Sequence, residues 1–220
     1  MMMRYLNGYK IFEDKNDIDS ICERYGITNY TINSDGSIDV DGDVNVYHRV
    51  LTKLPIKFGK VSGAFHCGTN QLTGLEGAPS EVGGHFTSNN NLITSLEHCP
   101  RRVVGYFSCS DNKLISLSGC PQQIVGDFSC SYNLITSLEH CPQQVDGAFY
   151  CTGNPVIYIV RGFIRSDDKN ELTELFNDTD IIQDGYKVIY DRLVWFYEEI
   201  GEKLPNLERD MVKKYYTIVR

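Results

Sequence analysis

Residues 105–125 read GYFSCSDNKLISLSGCPQQIV, and this unit recurs along the chain with a spacing of 21 residues. Its phenylalanine belongs to a column of five: Phe65, Phe86, Phe107, Phe128 and Phe149. A fixed period of roughly 20–50 residues is typical of a solenoid, in which each coil buries its apolar side chains against the next coil. The period therefore predicts a β-solenoid, or α+β repeat, fold with stacked parallel strands.

Four further columns repeat with the phenylalanines. Cysteine or serine follows each phenylalanine after two residues, and an aliphatic residue follows after seven and after ten. Because alternate side chains of a strand share one face, Phe-x-Cys predicts a short strand with both side chains turned inward. Asparagine follows after five residues, at Asn70, Asn91, Asn112, Asn133 and Asn154. Buried amides bond free backbone groups of loops, so we expect a structural asparagine ladder beside a phenylalanine spine.

Proline stands near the end of each coil, at Pro79, Pro100, Pro121 and Pro142. Because proline has no backbone N–H, we expect the return segment not to pair as a central strand. An aliphatic residue and then a glycine follow each proline and lead into the next coil.

The repeat weakens toward both ends of the chain. A sixth, degenerate coil begins at Gly42, and residues 32–42 alternate apolar and polar side chains through Asp-Gly turns, which predicts a β-hairpin. Residues 14–25, 166–176 and 189–200 have helical spacing, and a shorter element follows toward Tyr216. We therefore divide the chain into an N-terminal cap (1–41), a solenoid of about six coils (42–162) and a helical C-terminal cap or module (163–220).

Composition argues against two classes of partner. The formal net charge is −8, and residues 63–154 contain three basic and seven acidic side chains. A nucleic-acid backbone would be repelled by such a surface. The chain has no apolar run of about 18 residues and no apolar signal core near its first residue. We expect a soluble cytoplasmic protein that binds neither nucleic acid nor membrane.

Eight cysteines would suit a secreted protein, but seven of them fall in two repeat columns. Cysteine alternates there with Ser88 or Ala78, which is the behaviour of a small buried residue that fills space. The chain has no Cys-x-x-Cys pair of the kind that holds zinc. We therefore expect free thiols in the core in preference to disulfides or metal ligands.

The unit Phe-x-Cys-x-x-Asn-x-Leu-x-x-Leu resembles the leucine-rich repeat, with Phe65 and Cys67 in the two strand leucine places. It is most similar to the short bacterial type and to leucine-rich-repeat-like proteins of tailed bacteriophages, many of which carry an Asp-Gly hairpin followed by Leu-Thr-Lys-Leu-Pro, here residues 51–55. The resemblance covers residues 31–160 and departs from common repeats in its Phe, Cys and Pro. It implies a horseshoe-like, right-handed solenoid whose strand face binds partners.

The residues that flank the inward pair would form that strand face, and they vary while the core columns stay constant. Histidine and tyrosine there offer the amphipathic contact area of binding hot spots. The candidate partner-binding residues are His66, Thr87, His85, Tyr106, Ser108, Asp127 and Tyr150. An ordinary solvated strand face is the alternative. A metal site of His66, His85 and Asp127 is conceivable, but no pattern of supporting residues accompanies it, so we expect none.

A second candidate binding region lies in the C-terminal segment, where aromatic residues crowd together. Its candidate partner-binding residues are Tyr186, Tyr190, Trp195 and Tyr197. The segment contains no cysteine after Cys151, so it cannot perform the thiol chemistry of the ubiquitin ligase modules that follow some bacterial leucine-rich repeats.

No motif for catalysis is present: Gly-x-Ser-x-Gly, a phosphate-binding glycine loop and His-Glu-x-x-His are all missing. We expect no enzyme, no catalytic residue and no cofactor. The favoured hypothesis is a protein-binding scaffold, encoded by a phage, that inhibits a host or anti-phage defence protein. A structural, self-associating solenoid and a small-molecule-binding protein, with a pocket between solenoid and C-terminal helices, remain alternatives, and the oligomeric state is left open.

Overall fold

The computed structural model describes residues 5–6, 9–10, 15–156, 159 and 179–220. These residues form a parallel-strand β-solenoid of about five turns with a helix near each end region, which confirms the predicted fold class. The helix predicted for residues 166–176 lies outside the described residues.

The N-terminal elements are β1 (Tyr5–Leu6), β2 (Tyr9–Lys10), α1 (Lys15–Tyr25), β3 (Tyr30–Ile32) and β4 (Ile38–Val40). Ile18 and Cys22 lie one helical turn apart on α1, and both are buried in the core. β3 and β4 pair antiparallel, so the predicted hairpin is present. β4 then pairs parallel with the strand Phe58–Val61, which joins the hairpin to the solenoid.

The repeats form β5 (Val44–Asn45), β6 (Phe58–Val61), β7 (Phe65–His66), β8 (Glu81–Val82), β9 (Phe86–Thr87), β10 (Arg102–Val103), β11 (Phe107–Ser108), β12 (Gln123–Ile124), β13 (Phe128–Ser129), β14 (Gln144–Val145) and β15 (Phe149–Tyr150). The odd-numbered strands form a six-stranded parallel sheet in sequence order. Phe107 pairs with Phe86 on one side and with Phe128 on the other. The 21-residue period is therefore the register of this sheet.

The even-numbered strands form a second sheet, which the sequence analysis did not predict. β14, β12, β10, β8 and β6 lie side by side in parallel, and β4 and β3 extend the sheet to seven strands. Each proline precedes its strand by two residues, as Pro79 precedes β8. The missing N–H of proline thus falls before the ladder begins, and the segment after it is free to pair. The expectation that this segment stays unpaired is wrong.

The core lies between the two sheets. The rings of the phenylalanine column are fully buried or nearly so, and successive centroids from Phe65 to Phe149 are 5.1–5.8 Å apart. The aliphatic side chains of the second sheet, such as Val103 and Ile124, are buried opposite them. Each buried phenylalanine contributes on the order of 1.5–3 kcal/mol through removal of apolar area from water. The predicted phenylalanine spine is confirmed.

The C-terminal elements are β16 (Ile182–Gln183), β17 (Lys187–Ile189), α2 (Tyr190–Glu199), α3 (Asp210–Tyr215) and β18 (Thr217–Val219). The three strands form one small sheet, with β17 between β16 and β18. α2 buries Leu193 and Phe196, as the helical spacing of residues 189–200 predicts.

One glycine in every coil allows neighbouring coils to approach closely. The amide N–H of Gly105 donates to the carbonyl of Gly84, and that of Gly147 donates to Gly126. A Cβ atom on Gly126 would lie 2.6 Å from the carbonyl carbon of Gly105 and 2.8 Å from the backbone nitrogen of Tyr106. Glycine is required here because the backbone of the preceding coil occupies the space that a side chain would need.

We therefore expect Gly126→Ala to lower the free energy of unfolding by about 1–3 kcal/mol through overpacking against backbone. Gly74→Ala is the matched control, because nothing lies within 4 Å of its Cβ position, and it should change stability by less than about 0.5 kcal/mol. Urea unfolding followed by circular dichroism measures both. Equal stabilities of the two variants would contradict the close approach of the coils.

The asparagine column bonds each coil to the one before it. Asn112 Oδ1 accepts from the amide of Ile93 at 3.0 Å, and its Nδ2 donates to the carbonyls of Ser88 and Cys109, each at 3.1 Å. Asn91, Asn133 and Asn154 repeat this pattern, and all four amides are buried. The predicted asparagine ladder is confirmed.

Asn112→Ala should lower the free energy of unfolding by about 1–3 kcal/mol. The variant leaves the buried amide of Ile93 without its acceptor, which costs about that amount. The carbonyls of Ser88 and Cys109 each lose one donor but keep another, Asn91 and Asn133 respectively. Asn90→Asp is the control, because Asn90 is exposed and Asp111 occupies the same place in the next coil. Chemical denaturation measures the difference, and a loss below about 1 kcal/mol for Asn112→Ala would show that the ladder is not needed.

Candidate functional site

The strand face is the outward side of the six-stranded sheet. Several of the candidate residues lie beside one another on its adjacent strands. His66 pairs in register with Thr87, and Nδ1 of His66 lies 2.9 Å from Oγ1 of Thr87. Both side chains are half-buried. The His85 and Tyr106 rings meet edge to face, with centroids 6.3 Å apart. The register of the sheet therefore brings four of the predicted residues together in two adjacent pairs.

His85 and Asp127 also support the backbone. The amide of Tyr106 donates to Nδ1 of His85 at 2.9 Å, and the amide of Ala148 donates to Oδ1 of Asp127 at 2.8 Å. Asp43 accepts from the next coil in the same way. In alternate coils, one side chain thus caps a backbone N–H of the coil that follows. Part of the variation along the row of Asp43, His85 and Asp127 therefore stabilises the scaffold. The sequence alone does not distinguish these residues from residues that bind a partner.

Serines form the floor of the C-terminal half of the strand face. Ser108 is only 2% exposed, and Ser110, Ser129 and Ser131 are buried as well. Oγ of Ser110 lies 2.7 Å from Oγ of Ser129. Ser108, a predicted contact residue, therefore offers almost no surface of its own. Because the serine side chains are small, the larger side chains beside them protrude further from the sheet.

Two tyrosines stand beside this floor. Tyr150, a predicted site residue, is 48% exposed, and Tyr132, which the sequence analysis did not select, is 60% exposed. Tyr132 has φ 54° and belongs to a column of left-handed residues with 21-residue spacing: His48, Thr69, Asn90, Asp111, Tyr132 and Gly153. Asparagine, aspartate and glycine tolerate this conformation, whereas other residues lose roughly 1–2 kcal/mol there. The sequence signal for Tyr132 is a tyrosine in a 21-residue column that contains Asn90, Asp111 and Gly153 in the neighbouring coils.

The strand face consists of three outward rows with 21-residue spacing: the first from residue 43 to 148, the second from 45 to 150 and the third from 47 to 152. Neither lysine nor arginine occurs in these rows or in the left-handed column. Asp43 and Asp127 lie in the first row, and the exposed Asp111 lies in the left-handed column. Of the three basic residues in 63–154, Arg101 and Arg102 belong to the other sheet or the segment that enters it, and the exposed Lys113 lies two residues after Asp111, outside these rows. The formal charge of the strand face is therefore negative.

The three residues weighed as metal ligands serve separate hydrogen bonds. His66 contacts Thr87, His85 accepts from Tyr106, and Asp127 accepts from Ala148. Across the residues that the structure describes, no group of three or more His, Cys, Asp or Glu side chains is arranged to hold a metal ion.

The aromatic residues of the C-terminal segment divide into two classes. Tyr197 is buried and its hydroxyl donates to the carbonyl of Ile159, and the hydroxyl of Tyr216 donates to the carbonyl of Thr136 at 2.8 Å. These two contacts attach residues 179–220 to the last coils. Trp195 and Tyr186 are each 46% exposed, whereas Tyr190 is half-buried beside the Arg220 guanidinium. Of the four predicted residues, Tyr197 has a structural role, and Trp195 and Tyr186 offer the most surface.

A groove of about 320 Å³ lies on the outer face of the seven-stranded sheet, near the N-terminal hairpin. Asp39, Lys60, Glu81 and Arg102 line it, and Nζ of Lys60 lies 2.9 Å from the Glu81 carboxylate. An exposed pair of this kind contributes little to stability. The groove is not the pocket between solenoid and C-terminal helices that the small-molecule alternative requires.

All eight cysteines are buried and free, as predicted. Burial raises the pKa of Cys67, Cys99 and Cys151 to about 12. Because the thiolate is the nucleophile, these thiols are inert at neutral pH.

Comparisons of the chain with protein-family models, with curated protein sequences and with solved structures gave no match. None of the helices within the described ranges is long and apolar enough to cross a bilayer. The function is therefore inferred from the residues and their geometry.

The thiols predict a loss of stability at alkaline pH. Above pH 9.0, the ordinary thiol pKa, the unfolded chain releases thiol protons that the folded chain keeps until about pH 12. The contribution of the thiols to the free energy of unfolding is thus fully present below pH 9. Above pH 9 the free energy of unfolding falls by about 1.4 kcal/mol per pH unit for each thiol. Cys67→Ser should reduce this slope by about that amount, since Ser88 shows that serine fits the column.

Urea unfolding at a series of pH values between neutral and strongly alkaline measures this slope for both proteins. Tyrosines and lysines titrate equally in the parent and the variant, so the difference in slope isolates the one thiol. Identical slopes would contradict a buried, protonated Cys67.

Proposed function

We propose that the protein is a non-enzymatic scaffold that binds a protein partner through its strand face. The observation that supports this most directly is the contrast between columns. Buried Phe, Cys, Asn and Leu repeat from coil to coil, whereas the outward rows place His66, His85, Tyr106 and Tyr150 on an otherwise unchanged backbone. Histidine and tyrosine are partly exposed there, and tyrosine is enriched in binding hot spots.

The rigidity of the scaffold favours recognition of a macromolecule. Both sheets are hydrogen-bonded from coil to coil, and the asparagine ladder bonds the turns between them. Side chains on such a surface are held in place before binding, so little conformational freedom is lost when a partner docks. The strand face is a broad surface and not an enclosed pocket, which suits a protein partner better than a small molecule.

The resemblance of the repeats to leucine-rich-repeat-like phage proteins supports the more specific role. On that basis the partner is a host or anti-phage defence protein, which the scaffold binds and inhibits in the cytoplasm of the host cell. The role requires no cofactor and no catalytic residue. The negative charge of the chain disfavours nucleic acid as the partner.

Capture of proteins from bacterial host lysate tests the proposal when three forms of the chain are compared. The strand-face variant combines His66→Ala, Tyr106→Ala and Tyr150→Ala with His85→Asn and Asp127→Asn. The two asparagines keep an acceptor for the backbone amides of residues 106 and 148, so the fold is preserved. The control variant carries Gln123→Ala and Gln144→Ala on the outer face of the other sheet, where both residues are exposed.

We expect the parent and the control to retain the same protein, and the strand-face variant to bind it at least about 100-fold more weakly, because two or three hot-spot side chains are lost. A folded strand-face variant that binds with unchanged affinity would contradict the site. A further variant with Tyr186→Ala and Trp195→Ala examines the C-terminal alternative, which its two exposed aromatic side chains favour. Loss of binding in this variant alone would assign the site to the C-terminal segment.

A further inference from the structure

Tyr132 has no evident structural role that requires a tyrosine. Its left-handed backbone is better served by asparagine or aspartate, which occupy the same place in the two preceding coils, whereas the first two coils hold His48 and Thr69 there. Its side chain is 60% exposed, and its ring lies over Gly153, where a Cβ atom would be 2.6 Å from Cδ1. Both the backbone conformation and the exposure of the ring disfavour tyrosine at this position, so its retention points to a contact outside the chain.

Tyr132 lies beside Tyr150 at the C-terminal end of the strand face. The amide of Tyr132 donates to the carbonyl of Thr152 at 2.7 Å, two residues beyond Tyr150. Tyr150 is in register with the buried Ser129. The two exposed rings thus stand next to a floor of small side chains. A peptide backbone can approach that floor closely while its side chains reach the rings.

Within the strand face and the left-handed column, the charged side chains next to these rings are carboxylates. Asp111 precedes Tyr132 by one coil in the same column, and its exposed carboxylate has no partner among the described residues. Asp127 lies next to Tyr106, because the amide of Phe107 donates to the carbonyl of Asp127 at 2.9 Å. One carboxylate oxygen of Asp127 accepts from Ala148, and the other is free to accept from a ligand. Tyrosine faces also attract cations.

We infer that Tyr106, Asp111, Asp127, Tyr132 and Tyr150, here called the Tyr132 patch, bind an extended segment of the partner that carries lysine or arginine. The inference rests on the proposed function and narrows it to one partner chemistry. The patch covers three successive coils, about 10 Å at the usual strand spacing, which is the length of about three extended residues. Carboxylates and ring faces together select a cationic side chain, and an acidic segment would be repelled.

The test uses the full chain, labelled with nitrogen-15, and octapeptides capped at both ends. The peptides alternate glycine with arginine, lysine, glutamine or glutamate. We expect the arginine and lysine peptides to shift the amide resonances of Ser129, Tyr132 and Tyr150, and the glutamate and glutamine peptides to leave them unchanged. Raising the salt concentration should weaken binding, because exposed charges are screened beyond about 10 Å at 0.1 M.

Tyr132→Asn is the decisive variant, since asparagine fits the left-handed backbone. We expect it to unfold at the same or a higher urea concentration than the parent, and to bind the arginine peptide roughly tenfold more weakly. Asp111→Asn should weaken binding by a similar factor. Tyr47→Ala, an exposed tyrosine at the other end of the strand face, is the matched control and should bind as the parent does.

Three outcomes would overturn the inference: equal binding of the glutamate peptide, unchanged affinity in Tyr132→Asn, or resonance shifts confined to another surface. If the captured partner is lost from the strand-face variant while no basic peptide binds the patch, the strand face remains the docking site and the partner chemistry is wrong. If that partner is retained, the proposed function itself is wrong, whatever the peptides show.

Discussion

The buried asparagine amide at each turn is the interaction on which the solenoid depends. A coil that turns from one sheet to the other leaves backbone N–H and C=O groups inside the protein, where no water reaches them, and each would cost free energy if it stayed unpaired. Asn112 bonds four such groups from two coils: the amide of Ile93 and the carbonyls of Ser88, Cys109 and Ser110. The side chain must therefore recur at the same place in every coil. The strict period of the core columns follows from this requirement.

The sequence could predict the features that repeat, because each core position sees the same surroundings in every coil. The phenylalanine spine, the asparagine ladder and the free thiols are such features, and the structure confirms them. The second sheet was missed because its repeat strands follow a proline and each buries only one side chain, such as Val82 or Val103. The strands of the first sheet are as short, but there the buried Phe is followed two residues later by a buried Cys or Ser, which shows the alternation. Only the three-dimensional pairing of Val82 with Val103 reveals the second sheet.

The candidate site was harder to predict, because departures from the repeat have two causes. His85 and Asp127 differ from their neighbours, yet each accepts a hydrogen bond from the next coil's backbone. In their row, a side chain that accepts a backbone hydrogen bond occurs in every second coil, because it bonds the amide of the coil that follows. Ser108 looked like a surface residue from its strand position, but small side chains between close strands are covered by their neighbours. Variation between coils alone therefore assigns too many residues to partner binding. The residues that bond the backbone must be identified first.

Tyr132 illustrates a criterion that separates the two causes. A side chain that serves the scaffold lies in a conformation that suits it and satisfies a buried group, as Asn112 does. Tyr132 instead adopts a backbone conformation that disfavours it and exposes most of its ring to water. Natural proteins keep such locally unfavourable residues mainly where binding or catalysis requires them. In a repeat protein the neighbouring coils supply the reference: Asn90, Asp111 and Gly153 suit this backbone position, whereas His48, Thr69 and Tyr132 occupy it at a cost.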